Sequence, residues 1–197
     1  MFTPSTEAKC ALFLADGCEE IEALTVADLL YRAGIPCTKI SITDRLEVVS
    51  SHEIHILADA CIADTDLDAF DMLILPGGVP GTPNLGACTV LTDAVGRFAA
   101  SGKWVAAICA APSILAKLGI LQGRTASCNP TVEDVLTENG AVLSRESVSI
   151  CDRIITSRAM GTAIPFGLAI VAHFLGQERA DALGAQILYR WQGAASL

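Results

Sequence analysis

The feature that most constrains the fold is a repeated alternation of short aliphatic runs with segments of helical periodicity. Three of these runs, CALFLA at 10–15, MLIL at 72–75 and WVAAI at 104–108, have the continuous apolar character of strands that are buried on both faces. Segments with apolar residues at helical spacing follow them along the chain. Strand followed by helix predicts an α/β fold, with an open, mostly parallel sheet and helices on both faces.

The first predicted helix covers Glu19–Ala33. Its acidic first turn suits the positive end of the helix dipole, and Gly34 stands where helices commonly end. Its apolar residues are expected on or near one face: Ile21, Leu24, Leu29 and Leu30.

Later segments complete the predicted architecture. Leu46–Val49 and Ile54–Leu57 are typical of a small antiparallel excursion, Thr162–Leu175 of an apolar helix, and Ala180–Trp191 of a last amphipathic helix. The 197 residues contain no repeat and no linker-like stretch, so we expect a single domain over residues 1–197.

Charge and hydropathy argue against several classes of protein. The formal net charge is -9, and such a surface repels nucleic-acid phosphates. No apolar run is long enough to span a bilayer, and the N-terminus lacks the basic and apolar regions of a secretory signal. We therefore expect binding to neither nucleic acid nor membrane.

The chain has eight cysteines and no C-x-x-C pair. Several lie in apolar stretches, where cysteine behaves as a small hydrophobe. Free thiols in a reducing cytoplasm are the simplest interpretation. No clustered His, Cys and carboxylate spacing indicates a metal, and the glycine motifs of nucleotide sites are absent, so no cofactor is expected.

Cys109 is the strongest candidate for a reactive centre. It stands where an aliphatic strand runs into a helix of small residues, as in a nucleophile elbow, and the helix N-terminus is expected to favour the thiolate. The alternative is a buried structural cysteine, which has about equal weight on this pattern alone.

Two further loops follow predicted strands and are expected at the same edge of the sheet. Gly77 and Gly78 allow close backbone approach and can present an N–H group to a developing oxyanion, although an ordinary tight turn fits them too. Glu19 and Glu22 can share a helix face, and burial near a thiolate would keep Glu22 protonated. The alternative is a solvated carboxylate, which suits Glu20 well.

The histidines lie outside these three loops. His52 or His55 could reach the cleft from the antiparallel excursion, whereas His173 is expected to pack within its apolar helix. The sequence therefore shows no Cys-His-Asp arrangement.

Together these segments resemble the ThiJ/PfpI superfamily, in its DJ-1 branch, from about Lys9 to about Gly176. The order and spacing of the motifs carry the resemblance: Asp16-Gly17-Cys18-Glu19-Glu20-Ile21-Glu22, Arg32-Ala33-Gly34-Ile35, Leu75-Pro76-Gly77-Gly78, Ala107-Ile108-Cys109-Ala110-Ala111-Pro112, and Thr156-Ser157-Arg158 with Gly161-Thr162. The resemblance implies a flavodoxin-like, three-layer fold and a homodimer.

The resemblance also implies roles for single residues. Cys109 matches the family's easily oxidised cysteine, and Glu22 the glutamate whose protonated carboxyl hydrogen-bonds the sulfur. Gly78 and Ala110 match the N–H donors of the oxyanion pocket. Glu19 and Arg32 match positions near the site and the dimer contact.

Three positions depart from the family patterns. Ala110 follows the cysteine where the PfpI branch has histidine, which argues against Cys-His chemistry. Asn129 replaces a histidine of the DJ-1 branch and cannot shuttle protons at neutral pH. Ala159-Met160 replaces Gly-Pro, so Met160 is expected to narrow the pocket and to add an oxidisable sulfur.

The resemblance implies two functions. The first is a cofactor-free glyoxalase that acts on methylglyoxal or glyoxal, with protein deglycase activity as an extension of the same chemistry. The second is an oxidative-stress redox sensor or chaperone that works through oxidation of Cys109.

Overall fold

The computed structural model describes residues 2–190. The strands are β1 Cys10–Leu14, β2 Cys37–Ser41, β3 Glu47–Val49, β4 His55–Leu57, β5 Ala60–Cys61, β6 Met72–Leu75, β7 Trp104–Ile108, β8 Thr125–Ser127, β9 Val142–Ser144, β10 Val148–Cys151 and β11 Ile154–Ser157. The helices are α1 Glu20–Ala33, α2 Gly81–Ala87, α3 Thr89–Ser101, α4 Pro112–Lys117, α5 Glu133–Glu138, α6 Ala163–Leu175 and α7 Gln177–Gln186.

A seven-stranded sheet, in the order β10-β11-β7-β6-β1-β2-β5, forms the centre of the molecule. Its neighbouring strands pair in parallel except β10 with β11. The predicted excursion is the antiparallel pair β3–β4, and β8 pairs in parallel with β9. The predicted flavodoxin-like α/β fold is confirmed.

The strands of the central sheet bury both faces, as their continuous apolar runs predict. In β1, Leu12 and Leu14 pack with α1 and α6 on one side, while Ala11 and Phe13 pack with α3 on the other. This alternation follows from the two-residue period of a strand. Two apolar layers therefore fix the sheet, and they hold the carboxyl ends of β1, β6 and β7 side by side.

Helix α1 ends at Gly34, which has φ 78° and donates its N–H to the carbonyls of Leu30 and Tyr31. The prediction of one apolar face was wrong for two residues. Leu29 and Leu30 are buried, whereas Ile21 is 44% exposed and Leu24 38% exposed. Ile21 and Leu24 lie on a second, outward face of the helix.

The last helix, α7, ends at Gln186, short of the predicted Ala180–Trp191; Trp191 lies outside the described residues. No helix within residues 2–190 combines the length and the apolar character needed to cross a bilayer. The eight cysteines are all free thiols.

Candidate active site

Cys109 directly follows β7 and has φ 67°, in the left-handed region that few residues other than glycine adopt. Two backbone hydrogen bonds hold it there. Its N–H donates to the carbonyl of Ser157 at 3.0 Å, and its own carbonyl accepts from the N–H of Asn129 at 2.8 Å. The turn thus has the geometry of a nucleophile elbow, with the cysteine at the carboxyl edge of the sheet.

Glu22 lies in the first turn of α1 and is only 1% exposed. The N–H of Gly77 donates to its Oε2 at 2.8 Å. A Cβ on Gly77 would lie 2.7 Å from both that oxygen and the Cβ of Cys109, and 3.1 Å from the sulfur. Only glycine therefore allows the loop after β6 to close over the carboxyl group and the thiol together.

Burial raises the pKa of Glu22 to about 7, and the negative charge of Glu19 adds to the rise. Hydrogen bonds with Cys109 and with the N–H of Gly77 act in the opposite direction. Because the side chain is shielded from water, its charged form is the disfavoured one. Glu22 therefore changes protonation close to neutral pH.

Burial and the charge of Glu22 raise the pKa of Cys109 to about 12. The N–H groups of Ala110 and Gly78 lower it, but by less. The expectation that a helix N-terminus favours the thiolate is therefore wrong, because the pKa of the thiol is raised and α4 begins only three residues later, at Pro112. Ionisation of either acid opposes ionisation of the other, so the pair holds at most one negative charge near neutral pH.

Asn129 places its amide beside the sulfur. The Nδ2 atom donates to Cys109 Sγ at 3.6 Å. Its Oδ1 accepts from the backbone N–H of Thr131 at 3.0 Å and from the hydroxyl of Thr131 at 2.8 Å. These two donors fix which end of the amide is the oxygen, so the donating nitrogen faces Cys109. Thr131 carried no signal of this role in the sequence.

The remaining predicted site residues lie around the same pair. Gly78 has φ 99°, and its N–H and that of Ala110 interact with the sulfur, whereas the N–H of Gly77 serves Glu22 instead. That Met160 narrows the pocket stays a prediction. Its side chain is 53% exposed, and its backbone is the part that interacts with Glu22.

An acidic cluster lies beside the site, at the start of α1. Glu20 is 6% exposed, so its assignment as a solvated carboxylate was wrong. Its Oε1 lies 3.0 Å from His52 Nδ1, and Glu19 Oε2 lies 3.8 Å from the same nitrogen. Burial alone would raise the pKa of Glu20, but hydrogen bonds from its own backbone, His52 and Ser50 lower it.

Glu19, Glu20 and His52 bring potential metal-ligating atoms within 4.8 Å of one another. No metal-ligand spacing is visible in the sequence, because His52 is 32 residues away from Glu20. The contact between Glu20 and His52 already satisfies both groups, as an ion pair does when the imidazole is protonated. Hydrogen bonding to Glu20 raises the pKa of His52.

The other basic candidates lie apart from the thiol. His55 pairs with Glu47 at 2.9 Å, and Arg32 pairs with Asp28 at 2.6 Å in the last turn of α1. His173 packs against Trp104 with ring centroids 3.8 Å apart, as expected of a helix-packing residue. Within residues 2–190, no imidazole hydrogen-bonds the sulfur of Cys109.

This chain is similar to known proteins over most of its length. The model of the DJ-1/PfpI family matches residues 8–173. Protein dj-1beta of Drosophila melanogaster is 35% identical over 182 residues, which cover 92% of this chain and 97% of that protein. The protein of Caenorhabditis elegans named glutathione-independent glyoxalase DJR-1.2 is 35% identical over 177 residues, which cover 89% of this chain and 94% of that protein.

Solved structures show the same fold. The crystal structure of Drosophila melanogaster DJ-1beta has a TM-score of 0.89 at 33% identity and matches 94% of this chain and 100% of that chain. The structure titled Toxoplasma gondii DJ-1, oxidized, has a TM-score of 0.88 at 31% identity and matches 93% of this chain and 100% of that chain.

Proposed function

Because the chain belongs to the DJ-1/PfpI family, we propose that it is a cofactor-independent glyoxalase that converts methylglyoxal or glyoxal, with water, into 2-hydroxy acids. One observation carries the proposal: the buried Glu22 carboxyl, with its pKa raised to about 7, interacts directly with the Cys109 thiol. A small-molecule 2-oxoaldehyde is the substrate class, and protein deglycase activity follows from the same chemistry on aldehyde adducts. The relative that is named a glyoxalase supports the reaction class.

The reaction begins with addition of sulfur to the aldehyde carbon. The C–S bond forms as the thiol proton is lost and the aldehyde oxygen gains a proton, which gives a hemithioacetal. The N–H groups of Gly78 and Ala110 interact with the sulfur and so lie where a developing oxyanion would form. Glu22, which enters this step as the carboxylate that its pKa of about 7 makes available near neutral pH, accepts the thiol proton and passes it to the aldehyde oxygen, so that it is again a carboxylate.

Glu22 then acts as the base. Its carboxylate removes the hydrogen from the hemithioacetal carbon to give an enediol and returns that proton to the neighbouring carbon. The product is a 2-hydroxyacyl thioester of Cys109, and the oxidation of one carbon is balanced by the reduction of the next. Water cleaves the thioester, which releases the 2-hydroxy acid and restores the thiol. A carboxyl whose pKa is near 7 suits both proton transfers.

Asn129 stabilises this site without titrating. Its Nδ2 donates to the sulfur at 3.6 Å, in the place where the DJ-1 branch often has histidine. An amide can donate a hydrogen bond to the attacking sulfur but cannot accept its proton at neutral pH. Proton transfer therefore falls to Glu22 alone.

We predict that Glu22→Gln and Cys109→Ala each lower the rate of methylglyoxal consumption at least about 100-fold, because they remove the proton carrier and the nucleophile. Formation of lactate, measured with the purified protein, is the readout. Ser149→Ala is the control, since Ser149 is buried but contacts Ser127 rather than the thiol. Undiminished lactate formation by Cys109→Ala would contradict the proposed function.

A second candidate function is redox sensing by the same thiol, supported by the donors that surround it. Asn129 Nδ2 and protonated Glu22 can each donate a hydrogen bond to the oxygens of a sulfinate on Cys109. One structural relative is titled as an oxidized form.

Mild peroxide followed by mass spectrometry tests the sensor function. We predict that Cys109 is oxidised to the sulfinate before the other seven cysteines. We also predict that Glu22→Gln lowers the amount of this sulfinate that accumulates. Cys10 serves as the internal reference because it is fully buried, whereas Cys109 is partly exposed to the oxidant. Equal oxidation of Cys109 and the other partly exposed cysteines, Cys37, Cys88 and Cys151, would remove the basis for a sensor.

We also propose a homodimer through the outward face of α1 and the adjacent hairpin. Ile21 and Leu24 are exposed on α1, and Leu57 of β4 is 68% exposed, with Ile54 beside it at 47%. Exposed apolar side chains gathered on neighbouring elements are typical of an interface. A dimer contact would bury these four apolar residues, which the core leaves exposed.

Sedimentation measures this association. Leu24→Glu is predicted to convert a dimer into a monomer, because a charge replaces an apolar side chain on this face. Val142→Glu makes the same change on β9, where the residue is 53% exposed, and should leave the dimer intact. A wild-type monomer at micromolar concentration would refute the proposal.

We propose the cytoplasm as the compartment. The observation behind this is that all eight cysteines are free, which a reducing environment preserves. Cell fractionation is the direct check.

A further inference from the structure

A groove of about 550 Å³ lies beside the thiol, between α2, α4 and the start of α5. Its walls are mostly aliphatic and include Val79, Ile114, Val132 and Val135. The volume falls in the range of small-molecule pockets, which begins at about 300 Å³. The proton transfers described above use none of these four side chains.

The groove begins at the residues that surround the sulfur. Ala110 lines it and also presents its N–H to Cys109. Val79 directly follows Gly78, the other N–H donor. Thr131 lines it as well and holds the amide of Asn129 against the sulfur. The groove therefore lies next to the position of a group that is bonded to Cys109.

Thr82 provides an independent sign that a ligand belongs in the groove. It is part of the groove wall and is 5% exposed. Within the described residues, its hydroxyl is buried and has no hydrogen-bond partner. A buried hydroxyl without a partner costs free energy that a bound oxygen atom can recover.

We infer that the groove holds the alkyl substituent of a longer 2-oxoaldehyde, so that the preferred substrates carry a chain of several carbons rather than the methyl group of methylglyoxal. This rests on the proposed function, since the aldehyde carbon must reach Cys109. The aliphatic walls take the chain, and the 2-oxo oxygen is the partner that such a substrate brings to Thr82.

The groove can be filled by one substitution without straining the backbone. A Cβ on Gly86 would lie 3.6 Å from Ile114 Cγ1 on the opposite wall, an ordinary contact, so a larger side chain at Gly86 projects into the groove. Ala100 lies exposed at the far end of α3, away from the groove walls. Ala100→Leu places a leucine on a helix elsewhere and is the control for Gly86→Leu.

The experiment compares the KM of methylglyoxal with that of hexylglyoxal in the wild type, Gly86→Leu and Ala100→Leu. We expect the wild-type KM for hexylglyoxal to be about tenfold lower, because buried methylenes strengthen binding. Gly86→Leu should abolish that preference and leave methylglyoxal unchanged, while Ala100→Leu keeps it. Thr82→Val should raise the KM for both aldehydes about fivefold through loss of a hydrogen bond, since both carry the 2-oxo oxygen.

Two results would overturn the inference while leaving the proposed function in place: a KM that does not change with chain length, or a preference that survives Gly86→Leu. If neither aldehyde is consumed, the proposed function fails. The groove is then judged by saturation-transfer NMR with 2-octanone, which carries the same hexyl ketone without the aldehyde. Binding that Gly86→Leu abolishes supports the groove, and no binding to the wild type overturns it.

Discussion

The hydrogen bond from the N–H of Gly77 to Glu22 is the interaction on which the site depends. It holds a carboxyl group that is almost fully buried against a thiol, at the start of α1. The carbonyl of Gly77 also accepts from the N–H of Glu19 at 3.0 Å. Both backbone groups of Gly77 therefore hydrogen-bond residues at the start of α1. A side chain at Gly77 would displace both reacting groups.

The fold supplies the convergence that these contacts require. Parallel strands β1, β6 and β7 end at one edge of the sheet, and the loops after them carry α1, the two glycines and Cys109. The left-handed conformation at Cys109 turns the chain out of β7 before α4 begins. Backbone contacts to Ser157, at the end of β11, and to Asn129, in the loop after β8, hold that conformation. The strain is thus supported by neighbouring elements rather than by the turn itself.

The sequence predicted the sheet well because buried parallel strands have a strong local signature. The runs at β1, β6 and β7 are continuous and aliphatic, and Gly34 marks the end of α1. It did not predict α2, whose Gly-Thr-Pro-Asn-Leu-Gly-Ala sequence combines glycines and proline and has weak intrinsic helix propensity. Periodicity also could not tell the buried face of α1 from its outward one, since Ile21 and Leu24 are as apolar as Leu29.

At the site, the motifs could nominate residues but not their contacts. Glu20 was misassigned because its partner, His52, is distant in the sequence. Gly77 was expected to serve an oxyanion and instead serves Glu22, and Thr131 was missed because its role is to orient the amide of Asn129. The effect of a neighbouring acid on the pKa of a thiol likewise depends on the distance between the two groups in the folded structure. The thiol's raised pKa therefore emerged only from the structure.

Burial beside Cys109 keeps Glu22 protonated up to near-neutral pH, and the proposed chemistry depends on this raised pKa. Infrared difference spectra between the wild type and Glu22→Gln, recorded as a function of pH, isolate the carboxyl band of this residue. We predict that the protonated band persists through pH 6 and disappears with a midpoint of about 7, because the raised pKa favours the protonated form below that value. A carboxylate band that is already complete at pH 6, with a midpoint near the ordinary 4.5, would contradict it.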